Sequence, residues 1–383
     1  MKKVLKIIGI FFASLIGVIL LLMLVFSAVK GKAAKELYSQ LGEVAPELSV
    51  NGHTFRDLNK NGSLDVYEDS RAPMEERVED LLGQMTLEEK AGCMFVSMIG
   101  MTAEGLPYDK PKLSRNPFDM MIALMVPPAS ELLVTKKLNS VNILNAYDPD
   151  IMALFNNNLQ KFAERMRLGI PITIATDPRH SADNNPGASI LTSAFSAWPN
   201  PLGLAATRDT MLVREFGDIA RQEYRAVGLT VALHPMADLA TEPRWARING
   251  TFGEDANLSA AMTLAYVLGF QGDTLGINSV ACMSKHFSGG GPQLKGDDAH
   301  FAFGKDQAYP GDNFDYHVIP FIEGALAAHT AQIMPYYGIP VGQTSEDVGF
   351  AFNKEIITVL LRDSLGFDGV VCTDWGITSD SKV

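Results

Sequence analysis

The stretch GVVCTDWG (369–376) carries the reading that decides the fold. Val370, Val371 and Cys372 form an apolar run that ends in Asp374, so an ionisable group sits at the end of a buried segment. The same figure recurs upstream in IPITIATD (170–177), TVALHPMAD (230–238), SVACMSKHF (279–287) and AQIMPYYG (331–338). Helical stretches lie between these runs. Leu212, Phe216, Ile219 and Ala220 fall at helical spacing and stop at Gly228, and Ile356, Ile357, Leu360 and Leu361 line a helix ended by Gly366. Further helices are predicted near residues 256–271 and 318–329. Strands apolar on both faces and separated by helices are parallel, which predicts an α/β fold, either a (β/α)8 TIM-barrel-like domain or a doubly wound sheet.

Asp177, Asp238, Lys285, His286, Tyr337 and Asp374 all fall at the C-terminal ends of their strands. In a (β/α)8 barrel those ends meet at one mouth, where the active site lies, so the placement favours the barrel. Only about six candidate strands precede Val383, so an eight-stranded barrel is expected to be incomplete and the sequence a fragment of a longer protein.

Working outward, Pro73 suits a helix start, with Val78, Leu81, Leu82 and Met85 as its apolar stripe. Thr86 and Glu89 form a capping box for a second helix, and Cys93–Ile99 is a candidate strand. Residues 101–150 read as an irregular surface insertion, followed by a helix from Asp150 to Arg167. At the N-terminus, Lys2, Lys3 and Lys6 precede an uncharged stretch from Ile7 to Val29. As a helix it would measure about 35 Å, enough for a bilayer core of about 30 Å. Residues 1–30 are therefore expected to be a signal anchor spanning 7–29, with a cleaved signal peptide as the alternative. The domain behind it would lie outside the cytoplasm, or be secreted if the segment is cleaved. Residues 31–71 read as a linker, and 72–383 as the barrel domain.

Within the linker, DLNKNGSLDVYE (57–68) has the spacing of an EF-hand loop. Asp57, Asn59, Asn61, Asp65 and Glu68 offer oxygen donors, Ser63 a backbone carbonyl, and Gly62 the sharp turn. A structural Ca²⁺ is one reading; a turn held by its own side-chain-to-backbone hydrogen bonds is the other.

Composition narrows the class. Lys and Arg number 32 against 44 Asp and Glu, a net charge of −12, which excludes nucleic acid as the principal partner. A chain that is 47% hydrophobic can bury a large core. Three cysteines, Cys93, Cys282 and Cys372, all in apolar runs, read as buried thiols rather than a disulfide framework. No zinc-type histidine spacing, P-loop or G-x-S-x-G elbow is present in the sequence.

At the strand ends, Trp375 beside Asp374 offers a flat indole suited to a sugar ring. Lys285–His286 precedes SGGGP, a loop that lets backbone approach a ligand. Arg244 and Arg247 flank Trp245, and pairing of this segment with Glu254 or Asp255 is the structural alternative.

With these residues assembled, the chain resembles the N-terminal barrel domain of family 3 glycoside hydrolases, the β-glucosidase type. The resemblance runs from about residue 72 to 383 through QMTLEEKAG (84–92), IPITIATD, WPNPLGLAATRD (198–209), EPRWARINGTFGED (242–255), SKHFSGGG (284–291) and GFDGVVCTDWG (366–376). It implies a retaining mechanism with two carboxyl groups about 5 Å apart and no cofactor needed for catalysis. Asp374 matches the nucleophile. Asp177, Arg247, Lys285 and His286 match residues that bind hydroxyls of one sugar unit, and Tyr337, Trp375 and Met334 match positions lining that subsite. The implied substrate is a terminal β-linked glucosyl unit. Two departures stand out. The loop after Lys285–His286 lacks the histidine that serves as acid/base in the hexosaminidase branch, so a Glu from a second, C-terminal domain is expected to do so. TEP (241–243) replaces the more usual RDP. A non-catalytic carbohydrate-binding protein on a degenerate barrel and a glycoside phosphorylase are the competing readings.

Overall fold

The structure, a computed structural model, describes residues 2–109, 126–181 and 195–378. They fall into two compact units, Met1–Ile174 and Ala175–Val383.

The first unit opens with α1 (Lys2–Tyr38), one helix long and apolar enough to cross a membrane, with none of that span buried in the protein. Its last turn is tied down: Arg165 Nη2 donates to Tyr38 O at 3.4 Å, and Tyr38 Oη bonds Asp109. A hairpin follows, β1 (Glu47–Val50) with β2 (His53–Arg56). Its turn residues Asn51 and Gly52 both have positive φ, at 51° and 79°, as a two-residue Asn-Gly turn requires. The 31–71 segment thus contains a hairpin that the sequence reading passed over. α2 (Met74–Gln84) packs on the 66–68 turn, with Tyr67 N–H donating to Asp80. α3 (Leu87–Cys93) carries the expected capping box: Glu89 N–H donates to Thr86 Oγ1 and Thr86 N–H to Glu89 Oε2.

Two expectations need correction. The strand placed at Cys93–Ile99 begins only at Val96 (β3, Val96–Ile99), because Cys93 closes α3. The supposed surface insertion holds a strand, β4 (Ser140–Ile143), parallel to β3, and a buried turn with π-type bonding at Glu131–Thr135. In β4 the amide of Asn142 interrupts Val141 and Ile143, all fully buried, so no apolar run announces it. The part of that insertion at 110–125 lies outside the described residues. α4 (Pro149–Glu164) buries Met152, Phe155, Leu159 and Ala163, and β5 (Thr173–Thr176) runs across the boundary between the units.

The second unit continues the alternation: α5 (Pro201–Ala206), α6 (Thr210–Ala226), β6 (Val231–Ala232), α7 (Ala256–Gln271), β7 (Ala281–Phe287), α8 (Phe314–Ile319), β8 (Gln332–Pro335), a π-helix (Glu355–Ser364) and β9 (Val370–Val371). Here β5, β6, β7, β8 and β9 pair in sequence order, every pair parallel. A doubly wound sheet reverses its strand order at a switch point, and this run does not, so the barrel-type topology is the one observed. The expected strand 230–238 shrinks to two residues plus a bridge at Met236, because Pro235 has no N–H to give to a ladder. Ala175, Val231, Leu233, Met283 and Met334 form one core cluster, against which Cys372 and Trp375 pack.

α7 is apolar on every side and is covered by α6 and the segment Pro320–Leu326. Gly217 and Gly269 let α6 and α7 touch: a methyl at Gly269 would lie 2.5 Å from Arg214 O and 2.8 Å from Gly217 Cα. Gly269→Ala is accordingly expected to cost about 1–3 kcal/mol, read as a lower urea midpoint. An unchanged midpoint would show that the helices can separate without cost.

Candidate active site

The strand ends of the second unit gather the residues singled out by the sequence. Lys285, on β7, donates from Nζ to Asp177 Oδ1 at 3.1 Å, and both side chains are buried. Asp177, Lys285, Arg247, Arg179, His180 and Asn249 line a cavity of about 230 Å³. Arg247 connects this cavity to the second group, since its Nη2 lies 3.3 Å from His286 Nε2. His286 Nε2 in turn lies 3.7 Å from Asp374 Oδ2. Tyr337 Oη lies 3.0 Å from Asp374 Oδ1 and 2.7 Å from the Trp375 carbonyl. The Trp375 N–H donates to Asp374 Oδ1 at 2.8 Å. Met334 is buried in the strand core that Trp375 packs on, so it supports the site from beneath.

Asp238 is the residue whose part the sequence did not disclose. It was legible as one more strand-end carboxylate, with nothing to say what it meets. The structure gives it three donors: the His286 N–H at 3.2 Å, His286 Nδ1 at 2.9 Å, and the Gly290 N–H. It is fully buried. Burial pushes its carboxyl up, but His286, the Gly290 N–H and Arg247 outweigh that and hold it below the usual carboxylate range. For His286, burial acts downward, and Arg247 reinforces it against the pull of Asp238 and Asp374, so the ring stays neutral at pH 7. With Nδ1 donating to Asp238, the neutral tautomer leaves Nε2 as an acceptor facing Arg247.

The SGGG loop is also corrected. The sequence reading made it open backbone for a ligand. Instead Gly290 bonds Asp238, and a methyl on Gly291 would sit 1.6 Å from Leu239 O. These glycines are needed for close packing on the segment after β6. Arg244 pairs with Glu242 at 2.7 Å rather than with Glu254 or Asp255, and Asp255 caps α7 through the Leu258 N–H.

Chemically, the site offers an unspent donor and an unspent acceptor, on two residues that both approach His286 Nε2. Arg247 Nη1 and Asp374 Oδ2 are buried and have no hydrogen-bond partner among the described residues. Burying such groups unpaired is costly, and a hydroxyl, which both donates and accepts, can answer both. Tyr337 stays protonated: burial and the negative charge of Asp374 both push its phenol up, so it acts as a donor to the carboxylate.

In the 57–68 loop the donors are turned on the loop itself. Asp57 accepts from the Asn61 and Gly62 N–H groups, and Asp65 Oδ2 from the Asn59 and Asn61 amides. Glu68 accepts from the Leu58, Asn59 and Asp65 N–H groups, and the Asn61 carboxamide oxygen from the Ser63 N–H. Among the described residues no group of three His, Cys, Asp or Glu side chains is gathered for a metal.

Comparison with known proteins bears on this arrangement. Residues 125–382 match the glycosyl hydrolase family 3 N terminal domain. The chain is 49% identical over 328 residues to beta-glucosidase C of Emericella nidulans, covering 85% of this chain and 50% of that protein. It is 45% identical over 350 residues to the periplasmic beta-glucosidase/beta-xylosidase of Dickeya chrysanthemi, covering 88% and 51%. The chain spans about half the length of these curated relatives. A Listeria innocua β-glucosidase solved with laminaribiose superposes with a TM-score of 0.59 at 22% identity, over 79% of this chain and 38% of that one, a likeness of fold. On the sequence match, which covers most of the chain, together with that common fold, this chain belongs to glycosyl hydrolase family 3 and carries its N-terminal domain.

Proposed function

We propose that the protein is a retaining exo-acting β-glucosidase that removes terminal, non-reducing β-linked glucosyl units. Asp374 Oδ2 attacks the anomeric carbon as the aglycone oxygen departs with a proton, giving a glycosyl ester of Asp374. Water then cleaves that ester, giving up its own proton, and the sugar leaves with its original anomeric configuration. The proton donor is a Glu outside the residues gathered around Asp374. Arg247, His286, Lys285 and Asp177 hold the sugar hydroxyls, and Tyr337, Trp375 and Met334 shape the subsite. The observation that carries this reading is that Arg247 and Asp374 both approach His286 Nε2, at 3.3 and 3.7 Å, with Arg247 Nη1 and Asp374 Oδ2 buried and without a hydrogen-bond partner among the described residues. The names of the relatives support the choice of β-glucoside as substrate. The test is release of nitrophenol from 4-nitrophenyl β-glucoside by the full protein. Turnover that persists without phosphate fits hydrolysis, and turnover that needs phosphate contradicts it.

We further propose that α1 anchors the domain outside the cytoplasm, on the strength of its apolar span and the periplasmic relative. For the 57–68 loop, structural Ca²⁺ remains the proposal. Its support is the alternation of oxygen donors around Gly62, whose φ is 79°. Glu68→Gln lowers Tm with or without metal, because Glu68 holds three backbone N–H groups. Chelation is therefore the discriminating measurement: a lower Tm in EGTA supports the ion, and an unmoved Tm retires it.

A further inference from the structure

We propose that Asp298 is a positioning residue for Arg247, acting through the indole of Trp245. The inference rests on the glucosidase reading, in which Arg247 binds sugar hydroxyls, and deepens it. Asp298 belongs to a turn closed on itself. The Phe301 N–H donates to Asp298 O at 3.0 Å, and a methyl on Gly304 would sit 2.1 Å from that same oxygen. Ala299 is fully buried in the core cluster that holds Phe287 and Tyr336, which pins the turn to the core. The two carboxylate oxygens of Asp298 are divided between neighbours. Oδ1 accepts from the His300 N–H at 2.9 Å and from His300 Nδ1 at 2.5 Å, which leaves Oδ2 aimed at the Trp245 indole N–H, 2.9 Å away. Burial pushes this carboxyl up, but the His300 donors and the indole outweigh that and hold it well below the usual carboxylate range.

Trp245 is the link to the site. It is only 1% exposed, so without Asp298 its indole N–H would be a buried donor lacking an acceptor. Arg247 follows two residues later, with its guanidinium carbon 6.0 Å from the centroid of the Trp245 ring. The other contacts of Arg247 include the Met236 sulfur at 3.8 Å and the neutral His286 ring at 3.3 Å. A ring face, a thioether and an imidazole do not fix a guanidinium as a two-pronged carboxylate does, so its aim follows the seating of the indole. Asp298 sets that seating from a rigid turn, and through it the direction in which Arg247 presents its buried Nη1.

The test is a double-mutant cycle in kcat/KM for 4-nitrophenyl β-glucoside, run on the full protein. Asp298→Ala is expected to lower kcat/KM about three- to tenfold, the worth of one hydrogen bond. In an Arg247→Lys background the same substitution should cost nothing further, because the fork it aims is already gone. Equal losses in both backgrounds overturn the role, since a merely structural brace acts independently of Arg247. Asp298→Asn should recover most of the activity: its carboxamide oxygen can face the indole while water serves the exposed His300. An Asn variant as slow as the Ala variant means that charge, not the indole, carries the effect, and overturns the route through Trp245. Trp245→Phe keeps a ring and removes only the N–H, so it should match the Ala loss and stands in if Asp298→Ala does not fold; wild-type kcat/KM in it overturns the role. A lower Tm with unchanged kcat/KM in Asp298→Ala does so too. A wild-type protein that cleaves no glucoside sinks the glucosidase reading and this role together, whereas an active one with additive losses sinks this role alone.

Discussion

Asp374→Asn is expected to lower turnover of an aryl β-glucoside by about 10³-fold or more, since it removes the carboxylate proposed to form the glycosyl ester. The substitution is nearly isosteric. The Asn carbonyl oxygen can still accept from Tyr337 Oη and the Trp375 N–H, so the local fold should persist and Tm should change little. What disappears is the charge and nucleophilicity of Oδ2, the oxygen without a hydrogen-bond partner among the described residues. Asp374→Ala with azide gives a second readout. Azide entering the vacated face attacks the anomeric carbon of 4-nitrophenyl β-glucoside, nitrophenolate leaves, and the product is the α-glucosyl azide. Unchanged turnover in the Asn variant would remove Asp374 from the chemistry.

The second large effect is expected at Asp238. Asp238→Ala leaves the His286 N–H, His286 Nδ1 and the Gly290 N–H buried without their acceptor. Removing one partner of a buried charged network costs about 3–5 kcal/mol, so this variant should be hard to purify folded. Asp238→Asn separates folding from function. Its amide can satisfy only some of those donors, and its N–H₂ group cannot accept from Nδ1. With the N–H₂ group toward Nδ1, the neutral His286 carries its proton on Nε2, facing the Arg247 guanidinium instead of accepting from it; with the carboxamide oxygen there, the Gly290 N–H loses its acceptor. A loss of about 10- to 100-fold in kcat/KM is expected, the range typical of a partner that fixes an imidazole's tautomer and orientation. The pH profile should shift with it, because Asp238 opposes the downward pull of burial and Arg247 on His286. A variant with wild-type kcat/KM and pH profile would make Asp238 merely structural.

The parallel α/β class and the strand-end residues were legible because apolar runs ending in a polar group are a one-dimensional signal. Asp177, Lys285, His286 and Asp374 could be read off by position alone. What meets what could not: Asp238 anchoring His286, or Gly290 turned on Asp238, depends on distances between segments far apart in sequence. β4 is hidden because an amide splits its apolar residues, and the strand at 230–238 is shorter than its apolar run because Pro235 cannot donate to a ladder. The Asn51–Gly52 turn is a hairpin signal present in the sequence, flanked by strands of only four residues each. The bond from Asp298 to the Trp245 indole gives no signal, since nothing in DDAHFAFG tells which aspartate turns inward.

The most direct test is to trap the intermediate. Incubating the full protein with 2,4-dinitrophenyl 2-deoxy-2-fluoro-β-glucoside and sequencing its peptides by mass spectrometry should find one fluoroglucosyl unit on Asp374, released slowly on adding a glucoside acceptor. A label on another carboxylate, or inactivation-free turnover with no labelled peptide, would contradict the assignment.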